Sequence, residues 1–414
     1  MRILIHGINF SPELTGIGKY TGEMAEWLAT QGHEIRVVTA PPYYPQWQLA
    51  EGYANKWLRE TSKEGSLLVY RCPLWVPVKP SGLKRILHLA SFAFSSFPIM
   101  FSQILWKPDV VWVVEPALFC APQAWLLARL CGSKAWLHIQ DYEVDAAFDL
   151  NLLKGAFMRN AVAAGERWLM RRFDRVSTIS QRMLAKALSK GVVAERALLF
   201  PNWVDLSTFN IHDPLIQSYD VVNHYRTELG IASDAIVALY SGNMGSKQGL
   251  EILAQVAKLC RPDVIFVFCG HGSGRTELIA LCQYLSNVRF MDLQPLARLA
   301  EFLSMADIHL LPQRADAADL VMPSKLTGML ASARPVVATA HAGTELANVV
   351  AVCGLVVEPE NALAFAEAIN KLANDPNLRA QLGSAGHLYA QNHLDKTAVL
   401  AKFEADLQNL LKIL

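Results

Sequence analysis

The chain has 414 residues, 52% of them hydrophobic and 18% charged. That excludes a disordered chain and is too much sequence for one ordinary core, so two α/β domains of about 200 residues each are expected. The formal charge of +1 hides an asymmetry, because residues 1–205 hold 23 Lys and Arg against 17 Asp and Glu, and the remainder 15 against 20. The basic half suits something anionic, a membrane surface or a phosphate-rich substrate. The bias is too weak for a nucleic-acid binder, and no nucleic-acid motif occurs.

Apolar strand candidates alternate with helical stretches along the first half. The strands are expected at Ile3–Ile8, Ile35–Thr39, Leu67–Arg71, Val110–Val114, Ala135–Ile139 and Val176–Ile179. Tyr20–Thr30 reads as a helix stopped by Gly32. The second half restarts the programme with strands at Ile236–Ser241, Val264–Cys269, Val288–Met291, Ile308–Leu311 and Pro335–Ala338. Helices are expected at Gly249–Leu259, Gly274–Leu285, Leu296–Ser304, Pro323–Ser332 and Ala362–Asn374. This alternation argues for two parallel sheets covered on both faces. The polar stretch from Pro201 to about Ser233 lacks periodicity and is expected to hold the boundary. Thr397–Leu414 is an amphipathic helix of a kind that often crosses back to the first domain.

The cysteines at 72, 120, 131, 260, 269, 282 and 353 are scattered, with no CxxC spacing. They read as buried free thiols of a reducing compartment. The N-terminus enters a strand at Arg2–Ile5 with no signal-peptide pattern, so a cytoplasmic location is expected.

Five segments could carry chemistry. Asn9–Tyr20 follows the first strand and opens the first helix. There Gly16 and Gly18 would let backbone approach an anion and Lys19 would add charge; a glycine-rich turn without a ligand is the alternative. It is not a dinucleotide fingerprint, since Thr21 stands where the third glycine belongs. Tyr240–Gly249, with Gly242, Asn243, Gly245, Lys247 and Gln248, occupies the equivalent place in the second half and reads as a diphosphate cradle. Asp316–Leu326 puts Pro323 in the first turn of a helix with Ser324 and Lys325 at its positive end, although a capping serine alone would look the same. His138, Gln140, Asp141 and Glu143 gather at the carboxyl end of a strand, where ligands of open α/β sheets collect, and suit sugar hydroxyls better than a metal. Lys84–Lys107 approaches the length of a membrane span, but Pro98, His88, Gln103 and its serines favour a helix packed on a sheet. An interfacial helix is the alternative, supported by the basic-aromatic cluster Arg167–Phe173.

Together these segments resemble the family-four retaining glycosyltransferases of the GT-B fold. Within that family the likeness is to the branch that builds colanic acid, other exopolysaccharides and O-antigen. The resemblance is carried by Phe10–Glu13, Thr15–Thr21, Ala40–Trp47, His138–Asp145, Ser177–Ser180, Phe200–Trp203, Tyr240–Asn243, Pro323–Thr327 and Arg334–Val337, in order along nearly the whole chain. It implies two Rossmann-like domains with an interdomain cleft: residues 1–203 for the acceptor, 204–394 for the nucleotide sugar, and a final helix over 395–414. It also implies transfer of a sugar from a nucleoside diphosphate, with GDP-fucose suggested, to a polyprenyl-diphosphate-linked saccharide at the inner face of the cytoplasmic membrane. The reaction would retain configuration and need no cofactor or obligatory metal. Catalysis is then expected from His138, Asp141, Lys247 and Lys325. Donor and phosphate binding are expected from Gly16, Gly18, Lys19, Gly242, Asn243, Gln248, Asp319, Pro323, Ser324 and Leu326.

The family's usual Gly-Arg is Gly242-Asn243 here, its usual lysine is Gln248, and its donor-binding glutamate is Gly328, with Asp319 the nearest acidic partner upstream. Two other readings stay open on these departures: a non-catalytic nucleotide-sugar-binding subunit, and a nucleotide-sugar epimerase of the same fold.

Overall fold

The computed structural model describes residues 1–412 apart from 15, 62–66, 79–81, 116–118, 143–155, 210–218, 246–247 and 316–321. The chain divides into two compact units, Met1–Pro201 with Leu400–Leu414, and Asn202–Val399.

The first unit is built on strands β1 (Arg2–His6), β2 (Glu34–Thr39), β3 (Leu58–Thr61), β4 (Leu67–Arg71), β5 (Val110–Glu115), β6 (Lys134–Ile139), β7 (Arg175–Thr178) and β8 (Ala197–Leu199). They form one sheet in the order β3-β4-β2-β1-β5-β6-β7-β8. Only the edge strand β3 runs antiparallel to its neighbour. The central strands are continuous apolar runs, as both-face burial requires; Val110, Val111, Trp112, Val113 and Val114 are all at most 1% exposed.

Its helices are α1 (Gly16–Thr30), α2 (Gly82–Ser102), α3 (Ala121–Cys131), α4 (Ala156–Met170) and α5 (Gln181–Ser189). Helices α2 to α5 cover one face, where Phe92, Ala124, Met170 and Met183 share a core with Leu4, Val111, Leu137 and Val176. In α2 the buried stripe is His88, Phe92, Ser96 and Met100, one residue per turn. The stretch Gly82–Leu105 is long and apolar enough to cross a membrane, yet only 33% of its most apolar window is buried. Its inner stripe is spent on the sheet and its outer face stays open.

The second unit repeats the plan with β9 (Ile236–Ser241), β10 (Val264–Cys269), β11 (Val288–Met291), β12 (Ile308–Leu311), β13 (Val336–Thr339) and β14 (Gly354–Val357). The order is β11-β10-β9-β12-β13-β14, and every pair is parallel. Its helices are α6 (Tyr219–Glu228), α7 (Glu251–Leu259), α8 (Arg275–Cys282), α9 (Leu296–Ser304), α10 (Lys325–Ala331), α11 (Glu345–Cys353), α12 (Ala362–Asn374) and α13 (Pro376–His393). The last helix, α14 (Lys396–Lys412), closes the second face of the first sheet. There Phe403 stacks on Phe200 with centroids 4.3 Å apart and meets Trp136 edge-on at 5.1 Å. Burying an aromatic ring of this kind stabilises by roughly 2 kcal/mol. Glu404 adds a 3.0 Å contact to His33.

All seven cysteines are free, and all but Cys131 are buried. Burial pushes the Cys72, Cys260 and Cys353 thiols up to about 12. In each sheet the strand order reverses, between β1 and β5 and between β9 and β12. Ligands of open α/β sheets bind outside the carboxyl ends of the strands at such points.

Candidate functional site

At the carboxyl end of β1 the turn Asn9–Glu13 folds back over α1. Glu13, 5% exposed, accepts from Asn9 Nδ2 at 2.9 Å and from the backbone N–H groups of Tyr43 and Tyr44 at 3.2 and 3.1 Å. Burial still raises its carboxyl to about 7, against the pull of those hydrogen bonds. A Cβ on Gly18 would stand 2.4 Å from Glu13 Oε2, and one on Gly22 2.7 Å from Ser11 Cβ. Gly18, expected to admit a ligand, instead admits the Asn9–Glu13 turn. Gly16 opens α1 at φ +62. Lys19 leans along the helix to Glu23 at 3.7 Å and over the Tyr20 ring at 4.9 Å.

His138, expected among the catalytic residues, is instead a core side chain. It is 1% exposed, stacked on Trp112 at 5.4 Å and edge-on to Phe200 at 5.1 Å. Its Nδ1 shares a 2.8 Å hydrogen bond with Ser177 Oγ, which also accepts from Trp136 Nε1 at 2.8 Å. Burial lowers its imidazole to about 3, so it is neutral at any working pH. The alternation of β6 explains this, since positions 136 and 138 point to the face that α14 covers. Asp141 lies just past the strand, partly buried; Glu143 and Asp145 lie outside the described residues. His138→Ala is expected to lower unfolding stability by about 2–3 kcal/mol and leave nucleotide affinity unchanged, as denaturant melts and calorimetry would show.

The second unit gathers a different set. The loop after β9 is tied to the loop after β10: Gly242 N–H donates to Cys269 O at 3.0 Å, Met244 N–H to His271 O at 2.8 Å, and Gly274 N–H to Met244 O at 2.8 Å. With Gln248 N–H given to Gly245 O, several amides expected to cradle phosphate are already committed. The glycines permit the approach. A Cβ on Gly270 would stand 1.9 Å from Gly242 O, and one on Gly272 2.5 Å from Met244 O.

Over this double loop lies Lys325, the first residue of α10. Its Nζ sits 4.1 Å from the centroid of the Tyr240 ring, and a Cβ on Gly242 would touch its Cδ at 3.4 Å. The ammonium nitrogen is buried and has no hydrogen-bond partner among the described residues; the same is true of Gln248 Oε1. Burial lowers the lysine to about 7. Ser324, next to it, is exposed and makes no capping bond to α10, so its hydroxyl is not serving the helix. Because α10 starts at Lys325, Pro323 precedes the helix. Leu326, expected at the donor, is 2% exposed and packs in the core instead. Lys247 and Asp319 lie outside the described residues.

The carboxyl end of β12 adds a cation that the motifs did not point to. Arg314 packs against Gly249, where a Cβ would meet its Cγ at 2.9 Å, and donates to Glu251 Oε1 at 3.2 Å. Thr339 holds that segment, accepting from Gln313 N–H at 2.6 Å and donating to Gln313 O at 2.7 Å. The signals were position and spacing: an arginine three residues beyond a strand at the switch point, and a glycine run at 270, 272 and 274 directly after β10.

Residues 15–203 match the model of the glycosyl transferase 4-like domain, and residues 222–388 that of glycosyl transferases group 1. The chain is 46% identical over 420 residues to the colanic acid biosynthesis glycosyl transferase WcaI of Escherichia coli strain K12, covering 99% of this chain and 100% of that protein. The chain is a family-four glycosyltransferase.

Its GT-B fold recurs in solved structures of low identity. Sucrose-phosphate synthase from Thermosynechococcus elongatus aligns with a TM-score of 0.76 at 16% identity, each chain covered in full. Anabaena Alr3699/HepE in complex with UDP aligns at 0.72 and 16%, covering 99% of this chain and 100% of that one. A glycosyltransferase must stabilise the charge that develops on its leaving group, and preorganised cations in a water-poor site do this well. In the second unit of this glycosyltransferase the Lys325 ammonium is buried in this way, while Arg314 is 41% exposed and paired with Glu251. Among the described residues, no group of three His, Cys, Asp or Glu could hold a metal ion.

Proposed function

We propose that this glycosyltransferase moves a sugar from a nucleoside-diphosphate donor to a lipid-linked saccharide in exopolysaccharide assembly, at the inner face of the cytoplasmic membrane and with retention of configuration. The observation that carries the donor half is the buried ammonium of Lys325 beside Gly242, without a partner among the described residues. A charge left without a partner in an apolar setting is costly, and the diphosphate of a nucleotide sugar is the anion that would relieve it. Arg314, Asn243 and Ser324 stand around the same loops and would take the remaining phosphate oxygens and sugar hydroxyls. The acceptor half is supported by the relation to WcaI, whose name places it in colanic acid biosynthesis. In this reading cations replace a metal ion at the leaving group.

The test is a thermal-shift titration with GDP, UDP, dTDP and CMP, each with and without EDTA. A ligand that binds only the folded state raises the melting temperature with the logarithm of its concentration over Kd. The expected result is a shift with one nucleotide that EDTA leaves unchanged. A shift abolished by EDTA would overturn the metal-free reading. No shift with any nucleotide would overturn the donor assignment and favour a scaffold, to which the missing Gly-Arg and glutamate of the donor pattern also point.

A further inference from the structure

Four helices, α2 to α5, cover one face of the first sheet, and their outer surface is unusual in two respects. The first is charge. Helices α2, α3 and α5 contain no Asp or Glu, and α4 contains one, Glu166. That carboxylate is 3% exposed and paired with Lys190. The exposed charges these helices present are therefore of one sign: Lys84 and Arg85 on α2, Arg129 on α3, Arg167 on α4 and Arg182 on α5. Helix α14, on the opposite face, mixes Lys396, Lys402 and Lys412 with Glu404 and Asp406, so charge of a single sign belongs to one side of the sheet.

The second is apolar exposure. On α2, Leu83 is 69% exposed, Leu87 51% and Phe94 81%. These are residues turned away from the buried stripe at 88, 92, 96 and 100. Trp57 and Trp75 edge the same helix, Trp57 Nε1 donating to Ser95 O at 3.2 Å and the Trp75 N–H to Ser91 Oγ at 2.9 Å; they are 58% and 44% exposed. Across the layer Trp168, 50% exposed, meets Trp125 edge-on at 5.8 Å. The Arg172 guanidinium lies over both rings, at 4.7 and 5.9 Å. Arg167, Trp168, Arg171 and Arg172 with Ala164 line a shallow pocket of about 550 Å³.

Exposed leucine and phenylalanine with flanking tryptophans and arginines, and no exposed acid on the helices, match the interface of a bilayer rich in anionic headgroups. Apolar side chains enter the acyl boundary, tryptophan rings sit at headgroup depth, and each cation near the surface gains from the negative potential. A protein partner of matching shape would not require the removal of every exposed carboxylate from four consecutive helices. We propose that the outer face of α2 to α5 docks this enzyme on an anionic membrane, with the Arg167–Arg172 pocket taking a lipid phosphate. The proposal rests on the reading of a lipid-linked acceptor, for which it supplies the surface that holds the enzyme beside its substrate.

Co-sedimentation of the full chain with phosphatidylglycerol-containing vesicles tests it, with phosphatidylcholine vesicles alongside. Binding to the anionic vesicles is expected, weakening as salt rises because exposed charges are screened. Arg167→Glu with Arg172→Glu is expected to weaken that binding by about a hundredfold. Leu83→Ser with Phe94→Ser is expected to weaken it by about tenfold. All four side chains are exposed, so unchanged melting temperatures and nucleotide shifts would certify the fold. Variants that sediment like the wild type, or a wild type that does not sediment, would overturn the proposal. So would equal, salt-independent binding to both vesicle types. Vesicle binding with no nucleotide shift would uphold this surface while the proposed function fails. A nucleotide shift without vesicle binding would do the reverse.

Discussion

Lys325→Met is expected to weaken nucleoside-diphosphate binding by about two orders of magnitude near neutral pH, and to slow sugar transfer by at least as much. A charge-assisted hydrogen bond contributes about 1.5–3 kcal/mol, and more where water is excluded. Lys325 offers its ammonium from a buried position with no competing partner among the described residues. The sharper expectation concerns pH. Burial lowers the lysine to about 7 in the free protein, so above that value it is largely neutral and must take up a proton to hold an anion. Wild-type Kd should therefore rise with pH, approaching tenfold per unit between 7 and 9. The terminal phosphate, with a second pKa of about 6, gains only a little more charge across that window, which would lower Kd and so works against the expected rise. The methionine variant should be flat. Linkage gives the sign for the nucleotide-free protein: between about 7 and the ordinary lysine value the unfolded chain binds the extra proton. Stability therefore rises with pH over that window and levels off at its lowest below about 7, where both states hold the proton. Calorimetry in two buffers of different ionisation enthalpy would count the proton directly. A Kd independent of pH, with no proton uptake, would remove Lys325 from the site.

Gly270→Ala is expected to be severely damaging to the second unit. Its Cβ would stand 1.9 Å from Gly242 O, and its backbone is held at φ +148, where L side chains are strained. Contact with the backbone carbonyl of Gly242, a residue tied through its own N–H to Cys269 O, cannot be relieved by a rotamer change, so the two loops must part. A loss of at least 3–4 kcal/mol is expected, with nucleotide binding lost even in protein that stays folded. Gly274→Ala is the control. Gly274 sits in the same run with an ordinary φ, and its nearest neighbour to a new Cβ is Met244 O at 3.1 Å, so it should cost far less. Equal melting temperatures and equal nucleotide affinities for the two variants would show that the loops are not knit as described.

Much of the fold was legible because the period of burial is written in residue type. The runs at Val110–Val114 and Val264–Cys269 are apolar over more residues than a half-exposed strand allows, and both lie inside their sheets. The strands Leu58–Thr61, Ala197–Leu199 and Gly354–Val357 were not legible. Ala197–Leu199 is only three residues, too few to make a period, and Leu58–Thr61 is an exposed edge that packing does not require to be apolar. Gly354 shows the limit from the other side. A Cβ there would stand 1.9 Å from Val336 O, a close strand approach that no local pattern announces.

The site divides in the same way. Local sequence by itself determined that glycines and a lysine would stand at the carboxyl ends of strands, since strand, turn and helix succeed one another within about ten residues of chain. It also determined that the first half carries the positive charge. What only the tertiary structure decided is which of those residues meet. His138 is walled in by Trp112 and Phe200, because the sheet brings those partners from distant parts of the chain. Gly18 is occupied by its near neighbour Glu13, whose carboxylate is fixed there by the distant amides of Tyr43 and Tyr44. Lys325 lies over Tyr240, eighty-five residues away in sequence, because β9 and β12 are neighbours at the reversal of the strand order. Burial and charge state depend on neighbours in space, and for these side chains the neighbours are supplied by strand pairing rather than by adjacency along the chain.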